Sequence, residues 1–214
     1  MNQEFFTPEQ LAKLQAKLPS DLVKTRSQSG QTFSYIEGYQ AIEHANQIFG
    51  FGHWSGTVER LDQVSATATE NAKGAQYRVA YLCVYRVRVD SPITGDSTDF
   101  SDVGYGSGVS YNSMGDAVES AAKEAVTDAM KRTLRNFGNQ FGLTLYDKEQ
   151  KNVERYPTYA QVSAAFKLVP EALKENAKKK MADILTANNQ TQLKDADGKT
   201  LQEVFQAFQQ MARA

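Results

Sequence analysis

The sequence predicts an α+β fold in which an antiparallel β-meander packs with one long helix, followed by a helical tail. Apolar and polar residues alternate through 77–89, an alanine-rich run of helix-forming residues spans 113–137, and apolar residues recur at helical spacing after Tyr156. These segments divide the chain into a core over residues 1–150 and a helical appendage over 151–214.

In chain order, Thr7, Pro8 and Gln10 open a short helix with a cap, a first-turn proline and a glutamine at the capping-box position. Leu11, Leu14 and Leu18 form its apolar stripe before Pro19 ends it. Residues 24–33 are polar and glycine-containing and read as a loop, with Lys24 and Arg26 as phosphate contacts or as ordinary solvated cations. A second helix is expected over 36–49, with Ile42, Ala45, Ile48 and Phe49 inward and Gly50 beyond its end. Phe51, His53 and Trp54 then lead into a strand, either as core aromatics or as stacking platforms for bases.

Residues 77–89 give the clearest strand, with tyrosines, valines and Cys83 on one face. The segment SPITGDS turns the chain into 98–103, completing a three-stranded meander over 54–103. Arg86 and Arg88 share the second face and either line a positive groove or solubilise the sheet.

The densest signal lies in residues 102–142. Gly104, Gly106 and Gly108 around Tyr105 predict a sharp turn, because glycine enters positive φ without penalty. Ser113 and Asp116 make a capping box, five alanines from Ala117 to Ala129 build the helix, and Gly138 closes it. At about 100° per residue, Glu124, Asp128, Lys131, Arg132 and Arg135 share one broad face. Two readings are open. Glu124, Asp128 and Arg132 form an exposed salt-bridge ladder, or the acids orient the cations so that their remaining donors meet phosphates. Lys131, Arg132, Arg135, Arg86, Arg88 and Tyr105 are the candidate nucleic-acid contacts, with Glu124 and Asp128 as groove-orienting acids.

In the tail, Thr158 and Gln161 cap a helix carrying Val162, Phe166 and Val169. Pro170 starts another with Leu173, Ala177, Met181 and Leu185, and Thr200 with Glu203 caps a last one with Val204 and Phe208. The basic run Lys178, Lys179 and Lys180 reads as a solvated face, with auxiliary DNA or partner contact as the alternative.

Composition narrows the functional classes. One cysteine, Cys83, permits no internal disulfide, no apolar run suits a membrane helix, and the N-terminus lacks a secretory pattern, so a cytoplasmic protein is expected. Residues 1–150 hold 14 Lys+Arg against 18 Asp+Glu, net −4, and 151–214 hold 10 against 7, net +3. A nucleic-acid site in the core must therefore be a local groove within an acidic body. His44, His53 and Cys83 supply no zinc-ligand spacing, no P-loop motif occurs, and GYGSG lacks the βαβ context of a dinucleotide fold. No metal, cofactor or catalytic constellation is expected. Asp96, Asp99 and Asp102 can be drawn as a nuclease magnesium site, but turn and strand-edge solvation also accounts for them.

YIEG at 35–38, FGFGHW at 49–54, DVGYG at 102–106 and above all KEAVTDAMKRTLRNFGNQFG at 123–142 resemble, in order, the motifs of the Rad52 family of recombination proteins. The resemblance covers roughly residues 30–150. It implies a β-β-β-α module assembled into a closed ring, which anneals complementary single DNA strands held by their backbones in a groove. That activity needs neither ATP nor a cofactor. By position, Lys131, Arg132 and Arg135 match the family's groove cations, with Glu124 and Asp128 matching acids beside them. Gln40 stands where a basic groove residue is common, and Phe51 replaces a tyrosine. Asn112 and Met114 replace lysines linked to a second DNA site, so the resemblance does not extend to that site. A recombinase or single-strand-binding protein is an implied partner, and the short tail suggests a compact prokaryotic or phage-like member.

Overall fold

The computed structural model describes residues 5–28, 30–71 and 74–213. The chain forms two compact units, Met1–Leu18 with Lys24–Asn152 and Pro19–Val23 with Val153–Ala214.

In the first unit, α1 (Pro8–Gln15) carries the expected capping box. Thr7 Oγ1 accepts from the Gln10 N–H at 3.1 Å, and Gln10 Oε1 accepts from the Thr7 N–H at 3.0 Å. Residues 24–33, expected as a loop, instead form a hairpin of β1 (Lys24–Gln28) and β2 (Gln31–Tyr35). Its ladder runs from Lys24 opposite Tyr35 to Gln28 opposite Gln31. Main-chain pairing requires no apolar alternation, so the hairpin leaves little trace in composition. Next comes α2 (Gly38–Phe49), which buries Ala41, Ala45, Ile48 and Phe49. Ile42, expected inward, is exposed.

Three long strands follow, β3 (Trp54–Asn71), β4 (Gly74–Asp90) and β5 (Ser97–Ser110), antiparallel and in that spatial order. Two register shifts interrupt the β3–β4 ladder, between Val58 and Arg60 and between Gln63 and Ser65.

The turn expected at residues 104–108 is absent, because β5 runs straight through it. Its glycines have a different purpose. Alternate strand residues face one way, and Gly104, Gly106 and Gly108 all face α3 (Met114–Leu134). A Cβ on any of them would overlap main-chain atoms of Ala117, Ala121, Ala125 or Ala129. Strand and helix therefore meet backbone to backbone, with those four alanines fully buried along the seam. Val79 packs with Ala117 and Ala121, and Cys83 with Ala125 and Ala129. Farther along, the buried Thr133 hydroxyl donates to the Tyr85 carbonyl at 2.9 Å.

Ser113 caps α3 by accepting from the Asp116 N–H at 3.1 Å. The Asp116 carboxylate accepts from the Ser110 hydroxyl at 3.3 Å, which ties the helix start to the end of β5. Beyond Leu134 the chain tightens into 3-10 turns at Arg135–Phe137, Asn139–Phe141 and Leu143–Tyr146. Phe49 of α2 packs on Phe137 and Phe141, with ring centroids 5.1 and 5.7 Å away. Nearby, His44 Nδ1 lies 2.8 Å from the Gln140 carbonyl, an acceptor that requires the proton on that nitrogen.

The second unit packs α4 (Tyr159–Lys167), α5 (Lys174–Ala187) and α6 (Gly198–Ala212) around Val162, Val169, Ala177, Val204 and Phe208. The Thr158–Gln161 capping box forms. Asp197, rather than Thr200, caps α6, accepting from the Thr200 N–H at 2.8 Å. Thr200 is buried, and Glu203 accepts from the Asn188 side chain at 3.0 Å. In the basic run, Lys178 pairs with Glu175 at 2.7 Å.

Candidate nucleic-acid interface

Lys131 and Arg132 occupy the last turn of α3, and Arg135 begins the 3-10 turn that continues it. The glycine–alanine seam holds this helix against β5, so the cations project from a rigid support. Lys131 stands over Tyr35 of β2, with Nζ 5.3 Å from the ring centroid. Burial pushes its ammonium below the ordinary lysine value. The positive charge of Arg26 acts in the same direction, while the carboxylates of Asp128, Glu37 and Glu124 oppose it.

Arg135 lies over Tyr146, 4.4 Å from guanidinium carbon to ring centroid. Its Nη2 is 3.2 Å from Asp102 Oδ2, and Arg132 Nε is 3.4 Å from Asp102 Oδ1. One carboxylate from β5 thus bridges two guanidiniums. The pairs are only partly open to water: side-chain exposure is 22% for Asp102, 36% for Arg132 and 19% for Arg135.

Neither acid of the expected ladder pairs with Arg132 in the way the i, i+4 spacing suggested. Glu124 Oε2 accepts from the Ser107 N–H at 2.8 Å, and Asp128 Oδ2 accepts from the Tyr105 N–H at 3.3 Å. They dock the helix on β5 and favour the charged form of Lys131. The arginines find their carboxylate on the strand.

Arg86, Arg88 and Tyr105 are not brought to this cluster. The helix covers the side of β4 that buries Val79, Cys83 and Val87, whereas Arg86 and Arg88 alternate to the opposite side. Tyr105, paired with Leu82, is exposed there too. Arg86 pairs with Glu59 at 3.1 Å, while Arg88 pairs with Asp90 at 3.2 Å and donates to the Ser97 hydroxyl. The six candidate contacts therefore lie as two sets of three, on opposite faces of the sheet. Period-two alternation sets Arg86, Arg88 and Tyr105 on the side of the sheet away from the helix.

Gln40 is buried and caps α2, accepting from the Glu37 N–H at 3.1 Å. Phe51 projects into solvent. The strand also parts the acids considered for a magnesium site: Asp99 lies opposite Arg88 on the outer face, whereas Asp102 turns toward α3. Among the described residues, no group of three or more His, Cys, Asp or Glu is placed to hold a metal ion. None of their helices is long and apolar enough to cross a membrane.

Sequence reasoning considered Asp102 only as a magnesium ligand and missed it, with Tyr35 and Tyr146, as a partner of the cations. Asp102 was legible in principle, since it shares strand parity with Gly104 and so falls on the helix side. Tyr35 and Tyr146 carried no such signal, because only the folded chain brings them to Lys131 and Arg135.

A three-stranded antiparallel sheet, backed by a helix that ends in a carboxylate-bridged cation cluster, defines a β-β-β-α module of the single-helix type. The chain belongs to the Rad52/Rad22 family: the family described as "Rad52/22 family double-strand break repair protein" matches residues 7–162. It is similar to the DNA repair and recombination protein RAD52 of Eremothecium gossypii, 40% identical over 139 residues, or 64% of this chain and 30% of that protein. Two proteins of Schizosaccharomyces pombe are each 34% identical to it. The DNA repair and recombination protein rad22 matches over 187 residues, 84% of this chain and 38% of that protein. The DNA repair and recombination protein rti1 matches over 165 residues, 74% and 42% respectively. The matched stretches thus span less than half of each of these relatives.

Proposed function

We propose that the chain binds single-stranded DNA by its backbone and anneals complementary strands, without ATP or a cofactor, in recombination and double-strand break repair. The observation that carries this proposal is the gathering of Lys131, Arg132 and Arg135 at the end of one rigid helix, in a region whose first 150 residues are net acidic. Localised cations of this kind grip phosphates without coating DNA indiscriminately. Backbone contacts position a strand but do not read its sequence, which leaves base edges available to a complement. Family membership and the repair and recombination names of the relatives support the biological setting.

In this proposal residues 1–150 form the annealing core and 151–214 an appendage. Copies of the core assemble into a closed ring, each supplying one short piece of the groove. The protein is cytoplasmic, performs no catalytic step, and hands DNA to or receives it from a recombinase or single-strand-binding protein. Lys131, Arg132 and Arg135 hold phosphates, while Glu124 and Asp128 hold the helix that presents them.

The test is to mix labelled complementary oligonucleotides with and without the protein, with no nucleotide added. Faster duplex formation is expected. Binding without any acceleration would reduce the protein to a passive single-strand binder, and a strict monomer by mass measurement would remove the ring.

A further inference from the structure

We infer that Asp102 is a resident stand-in for phosphate: it occupies Arg132 and Arg135 in the unbound protein and yields them to DNA, thereby limiting how tightly a strand is held. The inference rests on the single-strand-binding role proposed above. Each Asp102 oxygen faces one guanidinium, at 3.4 and 3.2 Å, the same two-pronged recognition that a phosphate offers. The carboxylate is therefore a competitor at the place where the strand must bind.

Asp102 and Arg135 each have a support besides their contact with one another. Asp102 Oδ1 also accepts from the Val103 N–H at 2.7 Å, which ties the carboxylate to its own strand. Arg135 is also supported by the Tyr146 ring, and Arg132 extends from the last turn of the helix that the seam packs on β5. A carboxylate anchored on its own strand acts on the guanidiniums through charge, neutralising one of two cations until a phosphate replaces it. A protein that anneals must also release its strands, and an internal competitor supplies that release.

The test compares wild-type protein with Asp102→Asn, Asp102→Ser and Asp102→Glu, each checked for folding by thermal unfolding. Equilibrium binding to an oligo-dT strand is measured together with the dissociation rate. Removing the charge by Asn or Ser is expected to tighten binding roughly three- to tenfold, through slower dissociation, as for loss of one partly screened ion-pair competitor. The Glu variant retains the carboxylate and is expected to stay near wild type. Loss of fold weakens binding, so a gain cannot arise from damage. Unchanged or weaker binding in both neutral variants would overturn the inference and leave Asp102 a positioning residue. Wild-type protein that fails to bind oligo-dT would remove the single-strand role itself, a result seen before any variant is compared.

Discussion

Gly106 faces the Ala121 carbonyl across the seam between β5 and α3, with no space for a methyl group between them. Both partners are main chain, so neither can step aside by changing rotamer. Gly106→Ala is expected to destabilise the core by about 3 kcal/mol, the upper end of ordinary overpacking. The urea midpoint measures it; an unmoved midpoint would show that the helix can lift from the strand at little cost.

Truncating the helix cations tests the groove directly. Lys131→Ala or Arg132→Ala is expected to weaken single-strand binding by about 1–3 kcal/mol, as for charge-assisted hydrogen bonds. The loss should be the same for oligo-dT and mixed sequences, and the salt dependence should become shallower. An unchanged salt slope in both variants would argue against phosphate contact.

Lys131 also makes binding sensitive to alkali. Burial lowers its pKa in the free protein, and an adjacent DNA phosphate favours the protonated form, so binding draws in a proton once the free side chain has begun to lose it. Affinity should therefore fall as pH rises through the range just below the ordinary lysine value. The folded state itself moves the other way: a depressed lysine pKa makes stability rise with pH over that same range. Lys131→Arg, which stays charged, should flatten the affinity profile; a profile identical to wild type would assign the titration elsewhere.

Arg86 provides the contrast, since it lies across the sheet and is already paired with Glu59. Arg86→Ala is expected to change single-strand affinity by less than about 0.5 kcal/mol, the usual range for surface substitutions away from a site. A loss equal to that of Arg132→Ala would mean that the strand also runs over the outer face.

The architecture was largely legible because long periodic segments dominate the first unit: tyrosine and valine alternation marked β4, and the alanine run marked α3. The glycines of β5 misled because their conformational freedom suggested a turn, whereas their missing side chains were what mattered. Only the helix on the other side of the seam reveals that use. For the site, the three helix cations followed from spacing along one element. Their partners did not, because Asp102, Tyr35 and Tyr146 reach them through tertiary packing. Arg86 and Arg88 were read as possible groove residues from the strand face they share, and strand parity sets that face, with Tyr105, on the side of the sheet away from the helix.

The bonds from the Ser107 and Tyr105 amides to Glu124 and Asp128 have a consequence for how copies of the sheet can meet. Those amides lie on the outer margin of β5, where another strand would otherwise zip on. At those two positions the donors are already satisfied and a helix stands alongside, so a strand adding to this stretch of β5 would have to displace the Glu124 and Asp128 carboxylates. The two acids that dock the helix thus also guard the middle of an edge strand against main-chain pairing.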